Sequence, residues 1–172
     1  FNYFSRSSLE YFCFLQKEKP KAVFVLGDSY EVFSFVIAAY FLNIDIIHMH
    51  GGELTFGAFD DGIRHSISKF ANLHFVINKN YKKRLINMGE DPKTIFNYGS
   101  TACEQIKSAK FEDKNYLYKK FKLKLDKTIL ITFHPETRSS IDPKEQINIV
   151  LKALVCFKKY NLVFTSSNSD TY

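Results

Sequence analysis

Strand-like and helix-like segments alternate along this chain from end to end, and that alternation limits the folds open to it. AVFVLG (22–27) is a short apolar, β-branched run closed by glycine, the pattern of a buried parallel strand. IDIIHMH (44–50), LHFVIN (73–78) and TIFNYGS (94–100) repeat it, and KTILITF and NLVF do so further on. Helical patterns lie between them. SSLEYFCFLQKEK is closed by Pro20, DSYEVFSFVIAAYFLN is apolar on most faces, and DDGIRHSISKFA (60–71) opens on carboxylates. NKNYKKRLINMGED stops at Gly89, TACEQIKSAKF starts another helix, and DPKEQINIVLKALVCFKKY has Pro143 near its first turn. This βαβα order calls for a parallel sheet with helices on both faces.

At 172 residues and 45% hydrophobic, the chain can bury a real core as one large domain or two small ones. Its character changes after residue 112, where the charged helix DKNYLYKKFKLKLD looks like a connection. We therefore expect a division into 1–112 and 113–172. The net charge of +6 suits an anionic ligand such as a nucleotide-sugar. The lysines are spread along KNYKKR, KNYLYKK and FKLKLDK at helical surface spacing, which reads as a solvated face, so no nucleic-acid partner is expected. Cys13, Cys103 and Cys156 are odd in number, far apart and without a CxxC pair, and are expected as buried small hydrophobes in a reducing cytosol. Cys103, after a strand end, is the one expected to be partly exposed. No apolar run approaches the roughly 20 residues of a membrane span, and the first 20 residues lack a cleavage site, so neither membrane nor signal peptide is expected. The chain begins without Met inside an apparent helix and stops just after a strand, the pattern expected of a piece of a longer protein.

In open parallel sheets ligands bind at the carboxyl ends of the strands, and polar residues gather there repeatedly. Asp28 and Ser29 follow the first strand, where they either cap the next helix or face a ligand. HMHGGELTFGAFDD (48–61) follows the second. His48 and His50 are expected on opposite faces, one toward the core and the other toward the strand-end cleft. Gly51 and Gly52 allow either a close backbone approach to a diphosphate or a tight turn. Asp60 and Asp61 either cap the next helix or supply an acid or base. Arg64 and His65 on its first turns are placed to contact a phosphate, orient a carboxylate or pair with Glu53. His134, before Pro135, is presented at a later strand end, where it suits phosphate contact or proton transfer. His48, His50, Glu53 and Asp60 match no standard metal spacing, and neither a Walker loop nor a GxGxxG turn occurs. No metal or cofactor is expected.

The stretch from GDSYEVFSF through HMHGGE, GAFDD and IRHSISK resembles the hydrolysing UDP-N-acetylglucosamine 2-epimerases and their relatives acting on UDP-2,4-diacetamido sugars. The likeness runs on through MGEDPKTIFNYGS and ITFHPET to SNSD, in order and over nearly the whole chain. It implies a GT-B-like architecture of two Rossmann-like domains, of which this chain holds the later part of the first and the start of the second. It implies UDP elimination after C2 deprotonation, then hydration to the free epimerised sugar, in a cytoplasmic enzyme that forms dimers or tetramers. By matching positions it implies catalytic roles for Asp28 and Asp60, and UDP-sugar contacts for His134, Asn168 and Asp170, with Arg64, Ser29, Gly51 and Gly52 lining the same site. One departure is His50, where animal and non-hydrolysing relatives carry a catalytic glutamate, leaving His50 or Glu53 to take that role. Another is Ser29, where arginine is usual. The rival readings are a non-hydrolysing epimerase, a GT-B glycosyltransferase and a non-catalytic remnant.

Overall fold

The computed structural model describes residues 2–123, 127–136 and 139–166, with side chains from residue 4 onward. The chain divides into two compact units, Phe1–Lys107 and Ser108–Tyr172.

In the first unit, helix α1 (Asn2–Glu18) leads into strand β1 (Ala22–Leu26), followed by α2 (Tyr30–Phe41), β2 (Asp45–Met49), α3 (Asp60–Phe70), β3 (Leu73–Val76), α4 (Lys79–Asn87), β4 (Ile95–Asn97) and α5 (Thr101–Ser108). The four strands pair in parallel and in chain order, β1-β2-β3-β4. Val25 lies beside His48, His48 beside His74, and His74 beside Ile95. Helix starts follow local chemistry. Ser29 accepts from the Val32 amide and Asn78 from those of Asn80 and Tyr81, each supplying a partner that a first helical turn lacks.

Burial alternates along each strand, as the two-residue pleat requires. Val23, Val25, Ile46, His48, His74, Val76 and Ile95 face inward and are buried. Leu15, Val36, Ala38, Ala39 and Ile67 from the helices close the larger core over β1 and β2, while Leu85 packs on Val76 and Ile95. A sheet that grows in one direction through right-handed crossovers puts α2, α3 and α4 on the same face. The expected helical cover is therefore found on one face among the described residues. On the other face Phe24 and Leu26 are 59% and 56% exposed. Phe75, Phe96 and Tyr98 stack beside them with ring centroids 5.5 to 6.1 Å apart.

In the second unit, α6 (Lys114–Phe121) precedes β5 (Thr128–Ile131), α7 (Pro143–Leu154) and β6 (Asn161–Phe164), and β5 pairs with β6 in parallel. Asp142 caps α7 by accepting from the Lys144 amide, with Pro143 in the first turn. The expectation of burial is corrected for Cys13 and Cys156, which are exposed, while Cys103 is exposed in line with its place after a strand end. Cys13 sits on the outer side of α1, while the described residues of α5 and the turn at Val155–Phe157 are exposed throughout. No helix among the described residues is long and apolar enough to cross a membrane.

Candidate active site

The site is built where β1 and β2 end side by side. Gly27, at φ +82, turns the chain out of β1 while its N–H still donates to the Met49 carbonyl at 3.2 Å. Asp28 follows, and Ser29 then starts α2. Ser29 Oγ accepts from the Val32 amide at 3.4 Å, so its place is a helix cap.

β2 ends on a residue in an uncommon conformation. His50 has φ +69, which a residue with a Cβ adopts at a cost of about 1 kcal/mol or more. Two contacts hold it there. Its N–H donates to the Phe75 carbonyl at 3.0 Å, and its Nδ1 lies 2.7 Å from Glu53 Oε1. The two side chains are 24% and 23% exposed, so the pair is sheltered yet reachable from solvent.

Gly51 and Gly52 serve packing. A Cβ on Gly51 would stand 2.9 Å from Ser68 Oγ and 3.1 Å from His48 Nδ1. A Cβ on Gly52, at φ +76, would stand 2.6 Å from the Tyr81 carbonyl oxygen. The Gly52 carbonyl also accepts from the Arg84 guanidinium. The loop thus lies directly on α3 and α4, a closeness only glycine permits.

Arg64 is the hub. It is 5% exposed, on the second turn of α3. One guanidinium nitrogen, Nη2, donates to Asp28 Oδ2 and, at 2.9 Å, to Thr55 Oγ1. Nη1 donates to Asp61 Oδ1 at 3.0 Å. Asp61 Oδ1 also accepts the Thr55 amide at 2.7 Å, which fastens the intervening loop to the start of α3. Of the three roles open to Arg64 in the sequence, it orients carboxylates, and Glu53 pairs with His50 instead. The planar fork suits this, because its donors reach three acceptors from one buried position. Asp60 heads the same helix as its first residue, half-buried next to Asp61.

His48 and His74 are buried on the inward face of the sheet. Desolvation by burial pushes His48 down to about 4, against the bond to Gly27 that favours the charged form. Burial also lowers His74 and His65, with Glu90 and Asp61 respectively opposing it. Among the described residues no three His, Cys, Asp or Glu side chains gather around a possible metal position.

Asp28 and Arg64 are therefore brought into contact, as are His50 and Glu53, with Gly51 and Gly52 underneath. His134 lies in the second unit, exposed just past the carboxyl end of β5. There the Thr165 hydroxyl donates to Thr132 Oγ1 at 3.1 Å. Asn168 and Asp170 lie outside the described residues. Thr55 and Ser68 were missed. Nothing local marks Thr55, whereas Ser68, four residues after Arg64, shares its helix face and was open to detection.

Two parallel α/β units, the first with ionised and ionisable groups at its carboxyl edge, define a GT-B-like Rossmann-type protein. The UDP-GlcNAc 2-epimerase of Neisseria meningitidis, solved bound to UDP-GlcNAc, superposes with TM-score 0.78 over 97% of this chain and 48% of its own, at 20% identity. The family model described as UDP-N-acetylglucosamine 2-epimerase matches residues 6–172, and the chain belongs to that family. It is 46% identical to the GDP/UDP-N,N'-diacetylbacillosamine 2-epimerase (hydrolyzing) of Campylobacter jejuni, covering 88% of this chain and 40% of that protein. It is 42% identical to the polysialic acid biosynthesis protein P7 of Escherichia coli, covering 92% of this chain and 41% of that protein. The chain thus spans about two fifths of the length of these curated relatives.

Proposed function

We propose that the whole protein containing this chain is a hydrolysing nucleotide-sugar 2-epimerase of the cytoplasm. It takes a UDP-linked 2-acetamido sugar to the free 2-epimer plus UDP. One observation above all supports this reading: two separate acid/base assemblies stand at the ends of adjacent strands. Asp28, held by Arg64, follows β1, and the His50–Glu53 pair follows β2. Epimerisation at C2 needs two such groups, because the proton leaves one face of the sugar and returns to the other.

In the first step a base takes the C2 proton. The freed electron pair forms the C1=C2 double bond as the C1–O bond breaks, and UDP leaves with the bonding pair. Water then gives its hydroxyl to C1 while a proton returns to C2 on the opposite face. Asp28 and Asp60 are assigned to one transfer and the His50–Glu53 pair to the other. In that pair Glu53 backs the imidazole and keeps a proton within reach, which supplies the function of the glutamate that His50 replaces. The two units correspond to the later part of one Rossmann-like domain and the beginning of a second. His134, Asn168 and Asp170 of the second are assigned to the UDP. Likeness to a hydrolysing diacetylbacillosamine epimerase favours a 2,4-diacetamido sugar as substrate.

The test is product analysis on the whole protein, in deuterated water, with UDP-N-acetylglucosamine and a UDP-2,4-diacetamido sugar supplied separately. Free sugar of inverted C2 configuration, with one deuterium at C2 and stoichiometric UDP, is the expected result. Epimerised UDP-sugar without release would make it a non-hydrolysing enzyme. Transfer of the sugar to an acceptor would make it a glycosyltransferase.

A further inference from the structure

Beneath the site lies a histidine that the proposed chemistry does not use. His48 is fully buried on the helix-covered face of β2, and its ring is held at both ends. Nε2 lies 2.9 Å from the Gly27 carbonyl oxygen. A carbonyl only accepts, so Nε2 carries the proton and donates. Nδ1 lies 3.1 Å from Ser68 Oγ. Ser68 stands one turn beyond Arg64, and its hydroxyl is also 3.0 Å from the Arg64 carbonyl. Because burial holds His48 near 4, the ring is neutral at pH 7 and Nδ1 is an acceptor, so the single Ser68 hydroxyl proton is shared between Nδ1 and the Arg64 carbonyl. Gly51 roofs this arrangement, with no room for a Cβ above Ser68 and His48.

The ring therefore spans from the peptide preceding Asp28 to the turn of α3 that carries Arg64. Those two partners come from different elements, 36 residues apart in sequence. The geometry of their ion pair is set by how far the end of β1 stands from α3. We propose that His48 is a positioning residue that fixes this spacing, so that Arg64 holds Asp28 in the orientation from which it acts on the sugar. The inference rests on the 2-epimerase reaction proposed above. A histidine that only filled core volume would be replaceable by any side chain of similar size, and its loss would be read in stability alone. A spacer that works through two hydrogen bonds has a different signature, because each bond can be kept separately. A glutamine at position 48 places its amide near Nε2 and retains the Gly27 bond. An asparagine places its amide near Nδ1 and retains the Ser68 bond. A leucine retains neither.

The experiment compares His48→Leu, His48→Gln and His48→Asn in the whole protein, reading kcat for sugar release and UDP affinity by calorimetry. His48→Leu is expected to lower kcat about 100-fold, the effect of roughly 1 Å of misplacement, while UDP affinity changes less than about twofold. His48→Gln is expected to recover about 10-fold of that loss, because the bond next to Asp28 is kept, and His48→Asn to recover less. Unchanged kcat in His48→Leu overturns the proposal. So do equal losses in all three variants, or kcat and UDP affinity falling together. If the wild-type protein releases no sugar, the reaction reading fails by itself. The spacer is then judged in the same protein by long-range proton–nitrogen correlation of the His48 ring. A neutral ring protonated on Nε2 at pH 6 supports it, and a charged or Nδ1-protonated ring overturns it.

Discussion

Replacing Gly52 by alanine should destabilise the protein far more than replacing Gly27, although both glycines have left-handed backbone, at φ +76 and +82. The comparison separates two costs. Placing a Cβ on a left-handed residue costs about 1 kcal/mol by itself. At Gly27 nothing lies within 4 Å of the added carbon, so that conformational cost is the whole effect. At Gly52 the added carbon meets the Tyr81 carbonyl oxygen at 2.6 Å, the Tyr81 carbonyl carbon at 3.2 Å and Leu85 Cγ at 3.1 Å. Tyr81 belongs to the backbone of α4 and cannot turn aside as a side chain would. Overpacking against such a wall costs a further ~2 kcal/mol, for a total of about 3 kcal/mol. Gly62, helical and with open space around it, provides the opposite control, since alanine there should stabilise by about 0.5–1 kcal/mol. Urea unfolding followed by far-UV circular dichroism measures all three, provided the urea dependence is unchanged. Losses at Gly52 and Gly27 within about 0.5 kcal/mol of each other would refute the argument that the loop is seated on α4.

Acidification should weaken the protein between pH 6.5 and 4, because the unfolded chain binds a proton there that folded His48, held near 4, refuses. Stability then rises with pH across that window and levels off above it. His48 contributes on the order of 3 kcal/mol of the change, and His74 and His65 add in the same direction. Unfolding free energy that is flat over this range would count against the buried, neutral ring. Arg64→Lys should lower the rate of sugar release by the whole protein about 10- to 100-fold, since an ammonium keeps the charge but cannot reach Asp28, Asp61 and Thr55 together. A rate near wild type would show that charge alone suffices.

Much of the fold was legible because its signals are local. The short apolar, β-branched runs became β1 to β4, and Ser29 caps α2, one of the two roles open to it in the sequence. His48 and His50 do part, one buried and one at the strand end, but alternation is not the cause: residues two apart share a strand face, and His50 leaves that face because its left-handed φ of +69 turns the chain out of β2. The site was legible as a neighbourhood. The partners within it were not. Whether Arg64 met a phosphate, Glu53 or Asp28 depended on where α3 settles against β1, and no spacing in the sequence encodes that distance. The glycine pair was similarly open, because φ and the nearest backbone are properties of the packed loop. Cys13 and Cys156 misled for a related reason: apolar character favours burial, but position on the helix or turn decides it.

The sequence by itself determined the parallel α/β order, the placing of polar residues at strand ends, and the kinship carried by HMHGGE, GAFDD and IRHSISK. Only the tertiary structure decided that Arg64 clamps Asp28, that Glu53 belongs to His50, and that His48 spans the gap between β1 and α3. Periodicity and capping act over a few residues, so the chain states them directly. The bonds from Arg64 to Asp28 and from His48 to Gly27 and Ser68 join groups 20 to 36 residues apart, and packing alone sets which of them meet.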